Sequence, residues 1–197
     1  MYRFFIYFYI RKDLQTMKNQ SKKISTKMIV FSALFAALVF VGTMFSIPIP
    51  GGQGYMHLGD SLNYLCAVLL PFPYSAIAAA VGATLCDITG GYAVWAWATL
   101  PIKFFMAMCF TSRSDKIFCM RNCIAPVAAG VINIVGYYFA ECLIYRSDTV
   151  GKTLASALAS VPGNIGQSVG AAVVFVVVAL AIDKTGVAEK IKKLINS

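Results

Sequence analysis

The stretch Asn164–Ile182 reads NIGQSVGAAVVFVVVALAI and holds no charged side chain over its 19 residues. A helix of about 20 apolar residues is long enough to cross the hydrocarbon core of a bilayer. Five further apolar segments precede it, over residues 26–47, 61–70, 74–88, 93–110 and 124–145. The pattern predicts an all-α membrane protein, a bundle of six transmembrane helices whose second and third members are short.

The composition supports a membrane environment. Hydrophobic residues make up 59% of the chain and charged residues 13%, and the net charge is +9. A soluble domain of 197 residues has too much of its volume near water to bury so much apolar surface. The basic side chains lie in short segments between the apolar runs, so we expect a lipid bilayer and no nucleic acid as the partner.

The distribution of basic residues predicts the topology. With the N-terminus inside, 14 of the 17 Lys and Arg residues fall in cytoplasmic segments. Arg146 and Lys152 fall outside, and Lys103 lies within the fourth helix. Because positive charge accumulates on the cytoplasmic side, we predict that both termini are cytoplasmic. The expected location is the plasma membrane of a prokaryote, which the chain crosses several times.

We divide the chain into a basic cytoplasmic N-terminal segment (1–23), a six-helix substrate-binding domain (24–183) and a basic cytoplasmic tail (184–197). The first apolar stretch, over residues 2–10, is too short to span a membrane. Met17 opens a more usual start, so we interpret residues 1–16 as an upstream extension or an interfacial stub without a role in function.

The cysteines do not predict a metal site. Most of the six lie inside apolar runs. Cys119 and Cys123 are spaced CxxxC without a histidine or a second cysteine pair beside them. We therefore expect small buried thiols, no metal and no cofactor.

Four ionisable residues fall within or at the ends of the apolar segments, where a charge is costly and marks a functional candidate. Asp60 opens the second helix, either as an N-cap or as a ligand contact, and His57 stands three residues before it. Asp87 ends the third helix, where the macrodipole disfavours a carboxylate. Lys103 is in mid-helix, where its structural role would be a buried pair with Asp87 or Glu141.

Two polar stripes follow helical spacing. Asn133, Tyr137 and Glu141 lie at i, i+4 and i+8 of the fifth helix. Asn164 and Gln167 share one face of the sixth. Each stripe should face the bundle interior, because lipid leaves polar groups unsatisfied. They serve either as hydrogen bonds between helices or as ligand contacts.

Aromatic residues gather near the outer end of the fourth helix. Trp95 and Trp97 either form an interface belt or stack on a ligand. Being two residues apart, they point to different faces, so at most one lines a cavity. Together the polar and aromatic groups predict an outward-facing pocket for a planar, polar metabolite. The candidate substrate-binding residues are His57, Asp60, Asp87, Tyr92, Trp95, Trp97, Lys103, Asn133, Tyr137, Glu141, Asn164 and Gln167.

Four stretches resemble a known family. They read SALFAALVF, GYMHLGDSLNYLCAVLLP, AAAVGATLCDITGGYAVWAWATLPIKF and PGNIGQSVGAAV. In order and spacing they are similar to the substrate-binding (S) components of energy-coupling-factor (ECF) transporters, and the HLGD and DxxGGY pieces point to the riboflavin-transporter-like branch.

The resemblance implies six helices and a vitamin site near the outer surface, closed by the loop after the first helix. It also implies an AxxxA patch on the first helix that docks on a shared transmembrane scaffold subunit, which two cytoplasmic ATPases drive. Ala33 and Ala37 match that patch. On spacing alone they are equally suited to packing inside the bundle.

The vitamin is not fixed by the resemblance, because members of the family take riboflavin, thiamine or its pyrimidine precursor, pantothenate, folate and others. We favour a thiamine-related or pyrimidine-like ligand, since a stacking aromatic ring accompanies Asp, Lys and Glu.

Two other functions compete with a vitamin-binding subunit. A self-sufficient secondary transporter would usually carry inverted repeats with broken helices, and no convincing repeat is visible. A small membrane enzyme would show paired catalytic groups such as HxxxD or ExxH at the membrane edge, and none appears. We therefore predict a protein that is not an enzyme and has no catalytic residues.

Overall fold

The computed structural model describes residues 26–48, 55–114, 116–145 and 150–196. It is 84% helical, which confirms the prediction of an all-α membrane protein. The helices are α1 (Thr26–Met44), α2 (Gly59–Leu69), α3 (Tyr74–Thr89), α4 (Ala96–Met108), α5 (Met120–Ile144), α6 (Val150–Thr185) and α7 (Val187–Asn196). One turn of 3-10 helix over Ala93–Trp95 leads into α4.

Two short strands interrupt the helical fold. β1 (Ser46–Pro48) pairs with β2 (Tyr55–His57) in an antiparallel hairpin, with Ser46 opposite His57. The hairpin belongs to the loop predicted to close the pocket. Its tip, over residues 49–54, lies outside the described residues, as do residues 1–25, which include the predicted N-terminal segment.

Three helices within the described ranges are long and apolar enough to cross a membrane. They are α1, α5 and the Thr153–Thr185 portion of α6. α3 and the Ala93–Met108 region are shorter apolar helices. Side chains such as Val173 and Val177 are 58% and 63% exposed, which suits a surface solvated by lipid.

Helix α2 lies at the centre of the bundle. It contacts α1, α3, α4 and α6, and all but one of its 11 residues are buried. At 1.5 Å per residue it is only about 16 Å long, which is too short to span the hydrocarbon core. The first turn of α2 therefore carries polar groups, including the buried Asp60, into the interior of the fold.

Close contact between α1 and α3 depends on Gly82. A Cβ atom there would collide with the carbonyl oxygen of Ala36 and crowd the side chain of Val39. This contact turns one face of α1 inward and leaves Ala33 and Ala37 exposed. The alternative that these two alanines pack inside the bundle is therefore wrong.

Aromatic side chains fill the half of the bundle nearer the end of α4. The Tyr64 ring lies 4.7 Å from the Phe110 ring, and the Phe110 ring lies 5.4 Å from the Phe175 ring, measured between centroids. All three side chains are buried. This half of the bundle is therefore closed by packed apolar groups.

The predicted basic tail contains a helix. α7 places Ala188, Ile191 and Ile195 along one face, four or three residues apart. Ile195 packs with Cys66 and Leu70 beneath the end of α2. The helix thereby covers the end of the bundle that the short α2 leaves open.

The beginning of the sixth helix differs from the prediction. The apolar segment Asn164–Ile182 predicted a beginning near Asn164, whereas α6 begins at Val150 and continues through Pro162. The residues just before Asn164 include glycine, proline and small polar residues, which are typical of a loop. Thr153, Ala157 and Ser160 are nevertheless buried, because they recur at helical spacing and face the bundle.

Candidate functional site

A cavity opens at the end of the bundle away from the aromatic core and α7. Its volume is about 230 Å³. The lining comes from β2, from the beginning of α2, from the end of α3 and from α4, α5 and α6. The residues are His57, Asp60, Asp87, Tyr92, Trp95, Thr99, Lys103, Asn133, Tyr137, Glu141, Tyr145, Ser160, Asn164 and Gln167.

An ion pair lies beneath the cavity. The ammonium nitrogen of Lys103 is 2.6 Å from Oδ1 of Asp60, and both side chains are almost fully buried. Lys103 also donates a 2.9 Å hydrogen bond to Oδ1 of Asn133. The prediction that Lys103 would pair with Asp87 or Glu141 is therefore wrong, because the central position of α2 brings Asp60 nearest to it.

Asp60 is not an N-cap. Helix α2 has Leu58 at the cap position, and the Leu58 side chain makes no capping hydrogen bond. The carboxylate instead accepts a 3.0 Å hydrogen bond from Nε2 of Gln167 besides pairing with Lys103. A buried charge pair is stable only when further hydrogen bonds satisfy its remaining atoms, and Gln167 and Asn133 supply them. We call Asp60, Lys103, Asn133 and Gln167 the polar floor.

Gln167 also fastens the hairpin to α6. Its Oε1 accepts a 2.9 Å hydrogen bond from the backbone N–H of His57, and its Nε2 donates a 3.0 Å bond to the His57 carbonyl oxygen. Both ends of the amide are therefore engaged within the protein. The geometry assigns Gln167 a positioning role, and its contact with a ligand stays a prediction.

A hydrogen bond also fixes the tautomer of the His57 ring. The backbone N–H of Gly59 donates a 3.2 Å hydrogen bond to Nδ1, so this nitrogen is unprotonated and Nε2 carries the hydrogen of the neutral ring. Burial lowers the pKa of His57 below its usual value, partly offset by the Asp60 carboxylate. A neutral His57 therefore lines the cavity at physiological pH.

Aromatic rings form one wall. The Trp95 ring lies 6.0 Å from the Tyr137 ring and 5.9 Å from the Tyr145 ring. The Lys103 ammonium lies over the Tyr137 ring at 5.2 Å, and the Tyr137 hydroxyl is 3.0 Å from that of Thr99. Such a wall offers flat surfaces on which a planar ring can stack.

The two tryptophans separate as their spacing predicts. Trp95 lines the cavity, whereas Trp97 is 53% exposed and does not. The rotation of about 200° between residues two apart on a helix sends their rings to different faces. Trp97 therefore lies outside the cavity, on the outer surface of the bundle.

Two carboxyl groups remain outside the polar floor. Glu141 accepts a hydrogen bond from the Ser160 hydroxyl through Oε2. Asp87 is only 8% exposed, and its Oδ2 has no hydrogen-bond partner among the described residues. The cavity thus presents hydrogen-bond acceptors on one side and aromatic faces on another.

The fold brings eleven of the twelve predicted residues to one cavity. Sequence reasoning missed Thr99, Tyr145 and Ser160, which also line it. Each stands four residues from a predicted residue: Thr99 before Lys103, Tyr145 after Glu141, and Ser160 before Asn164. Extending each predicted stripe by one helical turn would have found them.

Comparisons with known proteins agree with this architecture. Residues 23–184 match the family described as the ECF-type riboflavin transporter, S component. A protein of Pyrococcus woesei described as an uncharacterized protein in gap 3' region is 33% identical over 101 residues, which make up 50% of this chain and 67% of that protein. The family match covers most of the chain, including every residue of the cavity. The chain belongs to the family of S components of ECF-type riboflavin transporters.

Proposed function

We propose that the chain binds a water-soluble vitamin or vitamin precursor in the cavity beside the hairpin and delivers it to an ATP-driven importer. The observation that carries the proposal is the cavity itself, with aromatic faces beside carboxyl groups above a polar floor. S components supply the vitamin-binding subunit of such transporters. The site is suited to a planar ring that carries hydrogen-bonding groups.

The proposed entry side is the outside of the cell. The basic residues of the described ranges, apart from the buried Lys103, include Arg113, Arg121 and Lys184, which lie at the end opposite the cavity. At that end Arg121 bonds the last carbonyls of α4, and Asp183 accepts N–H bonds from Ile117 and Phe118. The positive-inside rule supports a cytoplasmic location for this end and an outward-facing cavity.

The packing of the inner half favours a binding subunit over a self-sufficient channel or secondary transporter. Below the polar floor, the rings of Tyr64, Phe110 and Phe175 fill the bundle. A ligand in the cavity therefore has no open route past them. Release inward requires a rearrangement of these rings or a movement of the whole subunit, either of which an ATP-driven partner can impose.

The proposed docking surface is the exposed face of α1 that carries Ala33 and Ala37. Small residues four apart let the backbone of another helix approach closely. On a neighbouring face of α1, Ala36 and Val39 contact Gly82 of α3, so the two faces have separate partners. The proposed partners are the ECF transmembrane scaffold subunit and its two cytoplasmic ATPases.

The test begins with the intact protein purified in detergent. Mass spectrometry of the denatured sample should identify a copurified vitamin or precursor. Cells expressing the chain with a scaffold and ATPase module should take up that compound, and cells expressing the chain alone should not. Uptake by the chain alone, driven by an ion gradient, would favour the secondary transporter instead.

A further inference from the structure

The carboxyl group of Asp87 is an unusual feature of the cavity wall. The side chain is buried, and Oδ2 accepts no hydrogen bond from any described residue. A buried acceptor without a donor is costly, and it is more costly when it carries charge. Such a group is retained in a fold when a molecule absent from the free protein supplies the donor.

Other buried polar atoms also lack hydrogen-bond partners, but their residues lie away from the cavity. Among the described residues they are Oδ1 of Asn63, the hydroxyl of Tyr64 and the hydroxyl of Thr84. None of these three residues lines the cavity, whereas Asp87 does. Asp87 is therefore the one residue of this set that lies beside a ligand bound in the cavity, and Thr84, one turn away on the same helix, is its natural control.

The charges of the described lining residues also favour a ligand that donates hydrogen bonds. Lys103 is their only cation, and it is bonded to Asp60 and Asn133. Asp87 and Glu141 then leave the lining with an excess of acceptors. Asp87 also lies in the last turn of α3, where the carbonyl ends of the helix add negative potential. An anion entering this cavity would meet carboxyl groups and an ammonium that is already paired.

We propose that Asp87 is a specificity residue that accepts an N–H or O–H group of the ligand, and that the ligand is a neutral or cationic planar ring bearing such a donor. Anionic vitamins and phosphate esters are excluded. The inference rests on the proposed function and narrows its substrate class by charge. It accommodates an aminopyrimidine or an imide-bearing ring equally, because both present an N–H in the ring plane.

The experiment compares Asp87→Asn and Asp87→Ala with the control Thr84→Val in the full chain purified in detergent. The probes are thiamine and riboflavin, their monophosphates, and pantothenate as a carboxylate. Binding is measured by quenching of tryptophan fluorescence and by calorimetry. Melting of each variant without ligand establishes that it is folded.

We expect at least one unphosphorylated ring to bind the wild type, with affinity at least tenfold higher than that of its monophosphate. Asp87→Ala should lose tenfold or more of that affinity while melting no lower than the wild type, because it removes the unsatisfied acceptor. Asp87→Asn keeps one acceptor oxygen but places an NH₂ donor against the donor of the ligand, so it should also weaken binding. Thr84→Val should bind normally.

The inference alone is overturned by undiminished binding in both Asp87 variants, or by tightest binding of pantothenate or a monophosphate. A wild type that binds none of these probes and contains no copurified vitamin overturns the proposed function and the inference together. Melting of both Asp87 variants well below the wild type also contradicts the inference, since it would assign Asp87 to the folding of α3.

Discussion

The Lys103 ammonium lies 2.6 Å from the Asp60 carboxylate, joining the middle of α4 to the first turn of the central helix α2. The contact explains how a helix of 11 residues can begin inside the bundle. Its first turn is anchored by charge, with Gln167 and Asn133 completing the hydrogen bonds. The pair also positions the ligand cavity directly above it, so the folding of α2 and the shape of the site depend on the same atoms.

We expect disruption of this ion pair to be non-additive. Asp60→Asn or Lys103→Met alone leaves one buried charge unpaired and should destabilise the protein by about 3–5 kcal/mol. The double variant removes both charges and should recover much of that loss. Thermal melting of the wild type, the two single variants and the double variant, in detergent without ligand, measures the coupling between the two charges. A double variant whose loss of stability equals the sum of the two single losses would show that the two charges are not coupled.

The two tryptophans should differ in ligand binding. Trp95→Ala removes a ring that lines the cavity beside Tyr137, so we expect a loss of affinity of roughly tenfold to a hundredfold. Trp97→Ala changes an exposed ring and should leave affinity unchanged. Titration with the copurified ligand measures both. Equal losses in the two variants would contradict the assignment of Trp95 as the stacking residue.

Gln167 and Asn164 should affect the site in different ways. Gln167→Ala removes the amide that bonds both backbone groups of His57, so amide exchange over residues 55–58 should accelerate and ligand affinity should fall. Asn164→Ala should weaken binding without that acceleration. Hydrogen exchange followed by mass spectrometry separates the two. Unchanged amide exchange over residues 55–58 in Gln167→Ala would contradict the positioning role of Gln167.

Enlarging the alanine face of α1 should separate transport from binding. The double variant Ala33→Leu, Ala37→Leu places bulky groups on an exposed surface remote from the cavity, so affinity should stay normal while uptake falls at least tenfold. Leu38→Phe adds bulk to another exposed position of α1 and serves as the control. Normal uptake by the double variant would show that the scaffold docks elsewhere.

The proposed topology predicts which positions react from outside the cell. A cysteine at Gly151, near the beginning of α6, should react with a membrane-impermeant maleimide in intact cells. One at Lys116, in the loop after α4, should react only after permeabilisation. Each is compared with the wild-type protein, which carries six cysteines of its own. The reverse labelling pattern would indicate the inverted topology, with the cavity facing the cytoplasm.

The sequence by itself determined the helices and most of the residues around the cavity. A polar side chain in hydrocarbon is so costly that Asp60, Lys103 and Glu141 had to face the interior wherever the helices were placed. Helical spacing then put Asn133 and Tyr137 on one face with Glu141. Both arguments are local, because they depend only on the solvent and on the geometry of a single helix.

The tertiary structure alone decided which of these groups meet. The sequence offered Asp87 or Glu141 as the partner of Lys103, and the burial of the short α2 at the centre selected Asp60 instead. The same packing rotated α4 so that Trp95 rather than Trp97 faces the cavity. It also left Oδ2 of Asp87 without a hydrogen-bond donor among the described residues. Pairing and rotation depend on contacts between helices far apart in the chain, which the spacing within one helix does not record.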